Sequence, residues 1–300
     1  MKIVMDGFLL IDKDQKVSSF DVVKEIRKLT REVHVGHAGT LDPLATGLLV
    51  IGVGEATKLL EYFIGCEKEY EVSACFGKES DTYDADGKIV SVNEKSYHDS
   101  EELVSIIREK FIGNISQMPP KYSALKVKGR RACDILRGGG DVELKPRNVH
   151  ISRFDLKEFD WPNVSFKVKC GSGTYIRSLI HDLGGELKCG AYVTFLRRTK
   201  VADFSVNGAN KIEKLDDKID KIEKYLISLE DIGRIFQKID ITEGEYDVLK
   251  NGGIIMNKKI EHRVANDKPV MAYCSGFLVG VVEFKNNGNS VKFRKLIVRK

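Results

Sequence analysis

Gly36-His37-Ala38-Gly39-Thr40-Leu41-Asp42-Pro43-Leu44-Ala45-Thr46-Gly47-Leu48-Leu49 is the most chemically dense stretch of this 300-residue chain. Its three glycines let the backbone turn tightly or approach a ligand closely. Asp42 is the lone acid in the stretch, with apolar Leu41 and Leu44 around it. Two readings of Asp42 stay open on these residues. Asp followed by Pro is how a helix often begins, with Asp at the N-cap and Pro in the first turn. The other reading is a reacting carboxylate, which needs partners from elsewhere in the chain.

Working outward, the apolar run Lys2–Ile11 predicts a strand, and Ser18 or Ser19 predicts an N-cap for a helix over Phe20–Leu29. Downstream, Ala56–Phe63 has helical spacing, Tyr70–Phe76 alternates like a strand, Ile89–Val92 resembles a short one, and Glu101–Phe111 is amphipathic. Val149–Phe154 and Val164–Cys170 read as strands, and Gly171-Ser172-Gly173 turns into a helical pattern over Tyr175–Leu187. A strand follows within Phe195–Phe204. Ile212, Leu215, Ile219 and Ile222 recur at helical spacing inside the charged Lys211–Lys224 segment, which predicts a solvated surface helix. From Ile235 onward, short β-type runs alternate with glycines. Strands with interspersed helices, followed by a small β-rich module, predict an α+β fold with a mixed or antiparallel sheet. The expected domains are 1–230 and 235–300.

Composition bounds the function classes. A 42% hydrophobic and 31% charged chain is neither a disordered tail nor a membrane protein. No apolar run reaches the roughly 18–20 residues that span a bilayer, and Asp6, Asp12 and Asp14 interrupt the N-terminal stretch, against a secretory signal. Six scattered cysteines without a C-x-x-C pair predict free thiols in the cytoplasm, no disulfide and no structural metal. The net charge of +5 is unevenly spread: Lys121–Arg147 and Ile235–Lys300 each carry a local +5. Two basic zones on a body that otherwise sums to −5 suit a polyanion held at two places. No coiled coil or long apolar edge announces a dimer, so a monomer without a protein partner is expected.

Partners for Asp42 exist in the sequence. Gly173-Thr174-Tyr175-Ile176-Arg177 places an arginine just after a glycine turn, where an Arg–carboxylate pair would keep the acid ionised and oriented. Lys68-Glu69-Tyr70 offers a ring on which a base could stack, and Pro119–Lys126 sets basic and aromatic groups beside a rigid dipeptide. Taken together and in this order, these segments resemble the bacterial TruB-type tRNA pseudouridine-55 synthases. The Gly36–Leu49 run carries the most specific part of the resemblance. Lys68–Tyr70 with Asp81-Thr82, Asp84 and Asp86-Gly87, then Met118–Lys126 with Gly129–Ala132, then Gly173–Arg177 and Leu196–Thr199 carry the rest. The last part resembles an RNA-binding PUA-type module more loosely.

The resemblance implies an isomerase that turns a T-loop uridine of tRNA into pseudouridine without cofactor or metal. It implies Asp42 as the reacting carboxylate, Tyr70 as the ring that stacks on the uracil and helps remove the C5 proton, and Arg177 as the partner of Asp42. It also implies Tyr175 and Leu196 packed around a flipped base and His37 where the nucleotide leaves the RNA. Lys68, Lys121, Lys126 and Arg130 are expected at the RNA, the last three within a basic insertion over 121–147 that closes over the T-arm, with Gly138-Gly139-Gly140 as its hinge. Attack at C1′, attack at C6 and a glycal-type elimination all stay open for Asp42. A tRNA-folding helper would share the basic zones but place no demand on Asp42, Tyr70 or Arg177; a guide-RNA-dependent relative of the dyskerin type would not need the insertion. Two departures stand out: Lys13-Asp14-Gln15-Lys16 where the family shows Lys-Pro-x-Gly, and Cys133 where it shows tyrosine. Both are expected to lie away from the chemistry.

Overall fold

The computed structural model describes residues 5–92, 99–127, 129–215, 222–231, 235–256, 269–285 and 290–297. Its strands up to Gln117 are β1 (Gly7–Lys13), β2 (Val35–His37), β3 (Thr46–Val53), β4 (Lys68–Phe76), β5 (Lys78–Ser80), β6 (Ile89–Ser91) and β7 (Gly113–Gln117). The short β8 (Lys126–Val127) and β9 (Arg130–Arg131) precede the long β10 (Arg147–Asp160), β11 (Asn163–Cys170), β12 (Ala191–Val201) and β13 (Phe204–Ser205). Among the described residues the α-helices between them are α1 (Ser19–Thr30), α2 (Leu60–Gly65), α3 (Ser100–Lys110), α4 (Ala132–Arg137) and α5 (Ile176–Glu186). The main sheet runs β1-β3-β12-β4-β11-β10-β7, with β2 beside β3 and β13 beside β12. Every pairing in it is antiparallel except β3 with β12, which makes the sheet mixed. A second, five-stranded sheet contains β14 (Gln237–Ile241), β15 (Ile255–Met256), β16 (Val270–Cys274), β17 (Phe277–Lys285) and β18 (Ser290–Leu296), with α6 (Glu243–Lys250) against it.

The unbroken apolar run Leu48–Val53 makes sense because β3 is covered on both faces. Leu49 and Ile51 face α1, whose Val22, Val23 and Ile26 pack there. Leu48 and Val50 face the other way, into a cluster that takes in Phe8, Phe63 and, from the second sheet, Met271, Tyr273, Leu278 and Val281. The small sheet therefore shares a core with the large one. Polar ties reinforce the contact: Lys58 donates to the Leu296 carbonyl at 3.1 Å, and Lys295 to the Lys58 carbonyl at 2.8 Å. A third cluster packs α3 and α5 onto β4, β11 and β12.

Local signals explain the helix starts. Ser18 caps α1 in a reciprocal capping box with Asp21, and Asp99 caps α3. The middle of the Lys211–Lys224 segment, where a surface helix is expected, lies outside the described residues at 216–221. Ile212–Lys214 and Glu223–Tyr225 are short 3-10 turns, Leu215 is extended, and Leu215 and Ile222 are buried against the α1 layer. Ile219 is among the residues not described. All six cysteines are free thiols.

Candidate active site

Asp42 caps no helix. The chain makes a turn at Asp42–Ala45, closed by the Ala45 N–H donating to the Asp42 carbonyl at 3.1 Å, and then enters β3. The helix-start reading of Asp42-Pro43 therefore fails. Two main-chain ties bracket the aspartate. On one side the Leu41 N–H donates to Ser19 Oγ at 2.9 Å, and on the other the Lys16 N–H donates to the Pro43 carbonyl at 2.7 Å.

Arg177, on the first turn of α5, lies behind Asp42 with its Nε 2.8 Å from Asp42 Oδ2. The Nε–H is not aligned on that oxygen, so the contact is an ion pair rather than a linear hydrogen bond. The arginine side chain is 5% exposed and the aspartate side chain 35%, so the carboxylate is presented outward from a buried cation. Arg177 Nη1 and Nη2 donate to the carbonyls of Thr82 at 2.7 Å and Tyr122 at 2.9 Å. One side chain thus joins α5, the loop after β5 and the Pro119–Ala124 segment. A second carboxylate, Asp84, lies 3.2 Å from Arg177 Nη1 and accepts from Thr82 Oγ1 at 2.5 Å. Burial pushes the Asp84 carboxyl above the usual range, against the Thr82 hydrogen bond and Arg177, which favour its ionised form.

Tyr70, on β4, lies in the same apolar cluster as Leu41, Leu44, Ile176 and Leu196. Burial raises its phenol pKa, with the Arg198 cation opposing, so the hydroxyl stays protonated at neutral pH. Tyr175 stands at the N-cap of α5, where Gln117 clamps its backbone: its N–H donates to Gln117 Oε1 at 2.8 Å and its carbonyl accepts from Nε2 at 3.0 Å. Asp42 and Arg177 are thus in contact, Leu41, Leu44 and Ile176 beside them share an apolar cluster with Tyr70 and Leu196, and Tyr175 precedes Ile176 at the start of α5.

His37 ends β2 half-buried, its Nδ1 buried and without a hydrogen-bond partner, and burial lowers its pKa. Lys121, Lys126 and Arg130 are exposed on the loop and β8–β9 hairpin that follow Pro119-Pro120. Lys68 differs from its expected place at the RNA. It is buried, and its Nζ donates to the carbonyls of Phe63 (3.4 Å), Ile64 (2.8 Å) and Cys66 (2.6 Å) at the end of α2.

Burial pushes the Lys68 ammonium down to about 8 from 10.5. Between those values the folded state holds fewer protons than the unfolded one, so the contribution of Lys68 to stability improves as pH rises from about 8 to 10.5 and is least favourable below 8. Urea unfolding at pH 8, 9 and 10 should therefore show wild type gaining stability relative to Lys68→Met as pH rises. A constant difference would mean an ordinary lysine.

Three participants were not singled out from sequence. Arg198, 1% exposed, donates from Nε to the Leu48 carbonyl at 2.8 Å and from Nη2 to the Gly39 carbonyl at 3.1 Å. It locks the glycine-rich loop onto β12 and reaches the Tyr70 hydroxyl. Gly47, at φ +99°, passes so close to β12 that a Cβ would meet the Arg198 carbonyl at 2.3 Å, which explains glycine there. Asp84, though part of the quoted motif, is the second acid on Arg177. Lys13 is buried beside the loop, its Nζ donating to the carbonyls of Asp14 (2.9 Å) and Val17 (2.7 Å). Burial drops its ammonium to about 8 while the Asp42 charge pulls the other way.

The Asp14–Lys16 departure is not remote from the loop, since Lys16 bonds Pro43 directly. Lys16 sits at φ 66°, in the left-handed region that favours glycine. Relief of that conformation, of order 1–2 kcal/mol, exceeds the added unfolded-state entropy of a glycine. Lys16→Gly is expected to stabilise the protein by about 0.5–1 kcal/mol, raising the urea midpoint at unchanged slope.

Among the described residues, no helix is long and apolar enough to cross a membrane. The family model of the TruB family pseudouridylate synthase N-terminal domain matches residues 27–176, and that of the tRNA pseudouridylate synthase B C-terminal domain matches 177–235. The second range takes in α5 and β12 of the main sheet. A tRNA pseudouridine synthase B from Clostridium tetani is 36% identical over 98% of this chain and all of its own length. Its counterpart from Aquifex aeolicus is 34% identical, again over 98% of this chain and all of its own. Among solved structures, a Cbf5-Nop10-Gar1 complex superposes with a TM-score of 0.76 at 22% identity, over 97% of this chain and 85% of the matched one. That likeness is one of fold: the same mixed sheet with a β-rich C-terminal domain. With the family models spanning the glycine-rich loop, Tyr70 and Arg177, and relatives aligned over nearly its whole length, the chain belongs to the TruB family of pseudouridylate synthases.

Proposed function

We propose that this protein isomerises uridine 55 in the T-loop of tRNA to pseudouridine, with Asp42 as the reacting carboxylate. The observation that carries the reading is the Asp42–Arg177 pair: a partly exposed carboxylate anchored on a buried cation, with Leu41 and Leu44 beside it in the apolar cluster of Tyr70 and Leu196. The reaction breaks the C1′–N1 bond, joins C1′ to C5, releases the C5 proton and returns one to N1. An ionised carboxylate suits attack at C1′, attack at C6 or abstraction of a sugar proton. Tyr70 and Leu196 supply the walls against which a flipped uracil would stack, repaying an unstacking cost of about a few kcal/mol. Tyr70, being a neutral phenol, would serve C5 deprotonation by relaying the proton rather than by holding a negative charge.

The enzyme would work in the cytoplasm as a single chain, with the exposed Lys121, Lys126 and Arg130 of the insertion on the T-arm phosphates and the small β-rich domain as a second RNA contact. His37 would lie where the nucleotide leaves the helix. The test is tritium release from a tRNA transcript carrying [5-³H]uridine, with and without its T-loop uridine replaced by cytidine. Release that vanishes on replacement is expected; release from the replaced transcript, or none from either, would overturn the site. Replacing Lys121, Lys126 and Arg130 together by Gln should weaken tRNA binding and flatten the plot of log affinity against log salt by about 0.9 per lost phosphate contact. An unchanged slope would place those side chains away from the RNA.

A further inference from the structure

We propose that Lys211 is a positioning residue for Asp42, acting through Asp14 and the turn that follows β1. The inference rests on Asp42 being the reacting carboxylate. Its basis is a continuous set of contacts that starts outside the Asp42 loop. Asn210 bridges to β1, its N–H donating to the Leu10 carbonyl and its carbonyl accepting from Asp12, both at 2.9 Å. That bridge delivers Lys211 to two carboxylates: its Nζ lies 3.4 Å from Asp12 Oδ2 and bonds Asp14 Oδ1. Asp12 is itself fixed, both of its oxygens held by Arg197 at 3.0 and 2.9 Å. The ammonium therefore leans on a rigid acid and draws Asp14 toward it.

Asp14 opens the turn that templates the Asp42 loop. Lys13 folds back to hold the Asp14 and Val17 carbonyls from within, and Lys211 holds the Asp14 side chain from without. Lys16, further along the same turn, and Ser19, the first residue of α1 just beyond it, make the two ties on either side of Asp42. A proline at 14 would pre-set its own φ, and a glycine at 16 would take the positive φ freely. This chain has neither, and Lys16 holds the left-handed conformation against its own preference. A lone exposed ion pair would fix such a turn weakly. Here Lys211 belongs to a network with Asp12, Asp14 and Arg197, in which Asp14 is half exposed and Asp12 largely buried.

The test measures single-turnover tritium release with enzyme in excess, and tRNA dissociation constants by filter binding. Lys211→Met, Lys211→Arg and Asp42→Asn are compared in the wild-type background. Lys211→Met is then added to D14P/K16G, whose turn is held by its own backbone. Lys211→Met is expected to slow the wild-type single-turnover rate about tenfold, the scale of a sub-ångström misplacement, with tRNA affinity changed less than about twofold. Lys211→Arg should recover most of the rate. In D14P/K16G, adding Lys211→Met should change the rate less than about twofold. An equal loss in both backgrounds, a loss of affinity in place of rate, or no loss would overturn the proposal. Should D14P/K16G fail to fold by circular dichroism, Asp14→Asn replaces it, and the two losses must then not add. If Asp42→Asn itself retains the wild-type rate, the reading of the reacting carboxylate falls. A dead Asp42→Asn beside a normal Lys211→Met removes the clamp alone.

Discussion

Asp42→Asn is expected to abolish tritium release, by at least about 10⁴-fold in single-turnover rate, with the thermal midpoint moved by no more than a few degrees. The two halves of that expectation have separate causes. Stability depends little on the Asp42 charge because the side chain is a third exposed and the pair it makes is correspondingly screened. Arg177 keeps Asp84 and both backbone carbonyls when the charge is lost, so no buried cation is left unpaired. No helix follows Pro43, so no cap is lost either. Under the proposed reaction activity depends on the charge entirely, since an amide is neither a nucleophile nor a base at neutral pH. The variant should also bind tRNA with near wild-type affinity, because phosphate contacts dominate binding and a carboxylate repels a phosphate rather than holding it. Residual release within about a hundredfold of wild type would mean that another group reacts.

How far this site could be seen in the sequence depends on what holds each residue. The N-cap expected at Ser18 or Ser19 falls on Ser18, and the alternation of Tyr70–Phe76 falls within β4; both are local patterns. The parallel contact of β3 with β12 joins Thr46 to Arg197, far apart in the chain, and no periodicity encodes it. Asp42, Tyr70 and Arg177 were reachable only because family resemblance supplied the pairing that spacing cannot. Lys13, Lys68 and Arg198 escaped or were misplaced for a common reason. A charged side chain reads as a surface group, yet each of these is buried with its donors on backbone carbonyls. Carbonyl acceptors leave no side-chain signature. The paired arginines at 197 and 198 were the one visible hint, and they point to opposite duties: one grips Asp12, the other the glycine-rich loop.

Arg177 should be the most costly single residue to lose. Arg177→Met is expected to destabilise the protein by about 3–5 kcal/mol, the scale for leaving a buried partner charge uncompensated, and to slow the reaction at least about a hundredfold. Asp84, 6% exposed at its side chain, would lose the cation that offsets its burial, and the Thr82 and Tyr122 carbonyls would lose their donors. These losses can be told apart. Adding Asp84→Asn to Arg177→Met removes the stranded acid, so the double variant should recover part of the stability in urea unfolding, a coupling of about 1–3 kcal/mol. It should recover none of the rate, because Asp42 would still lack the group that fixes its direction. Asp84→Asn alone leaves Arg177 paired with Asp42 and should cost less stability than Arg177→Met. Additive losses would show that Asp84 and Arg177 do not act as a pair; a recovered rate would show that Asp42 needs no anchor, and that Arg177 serves the fold and not the chemistry.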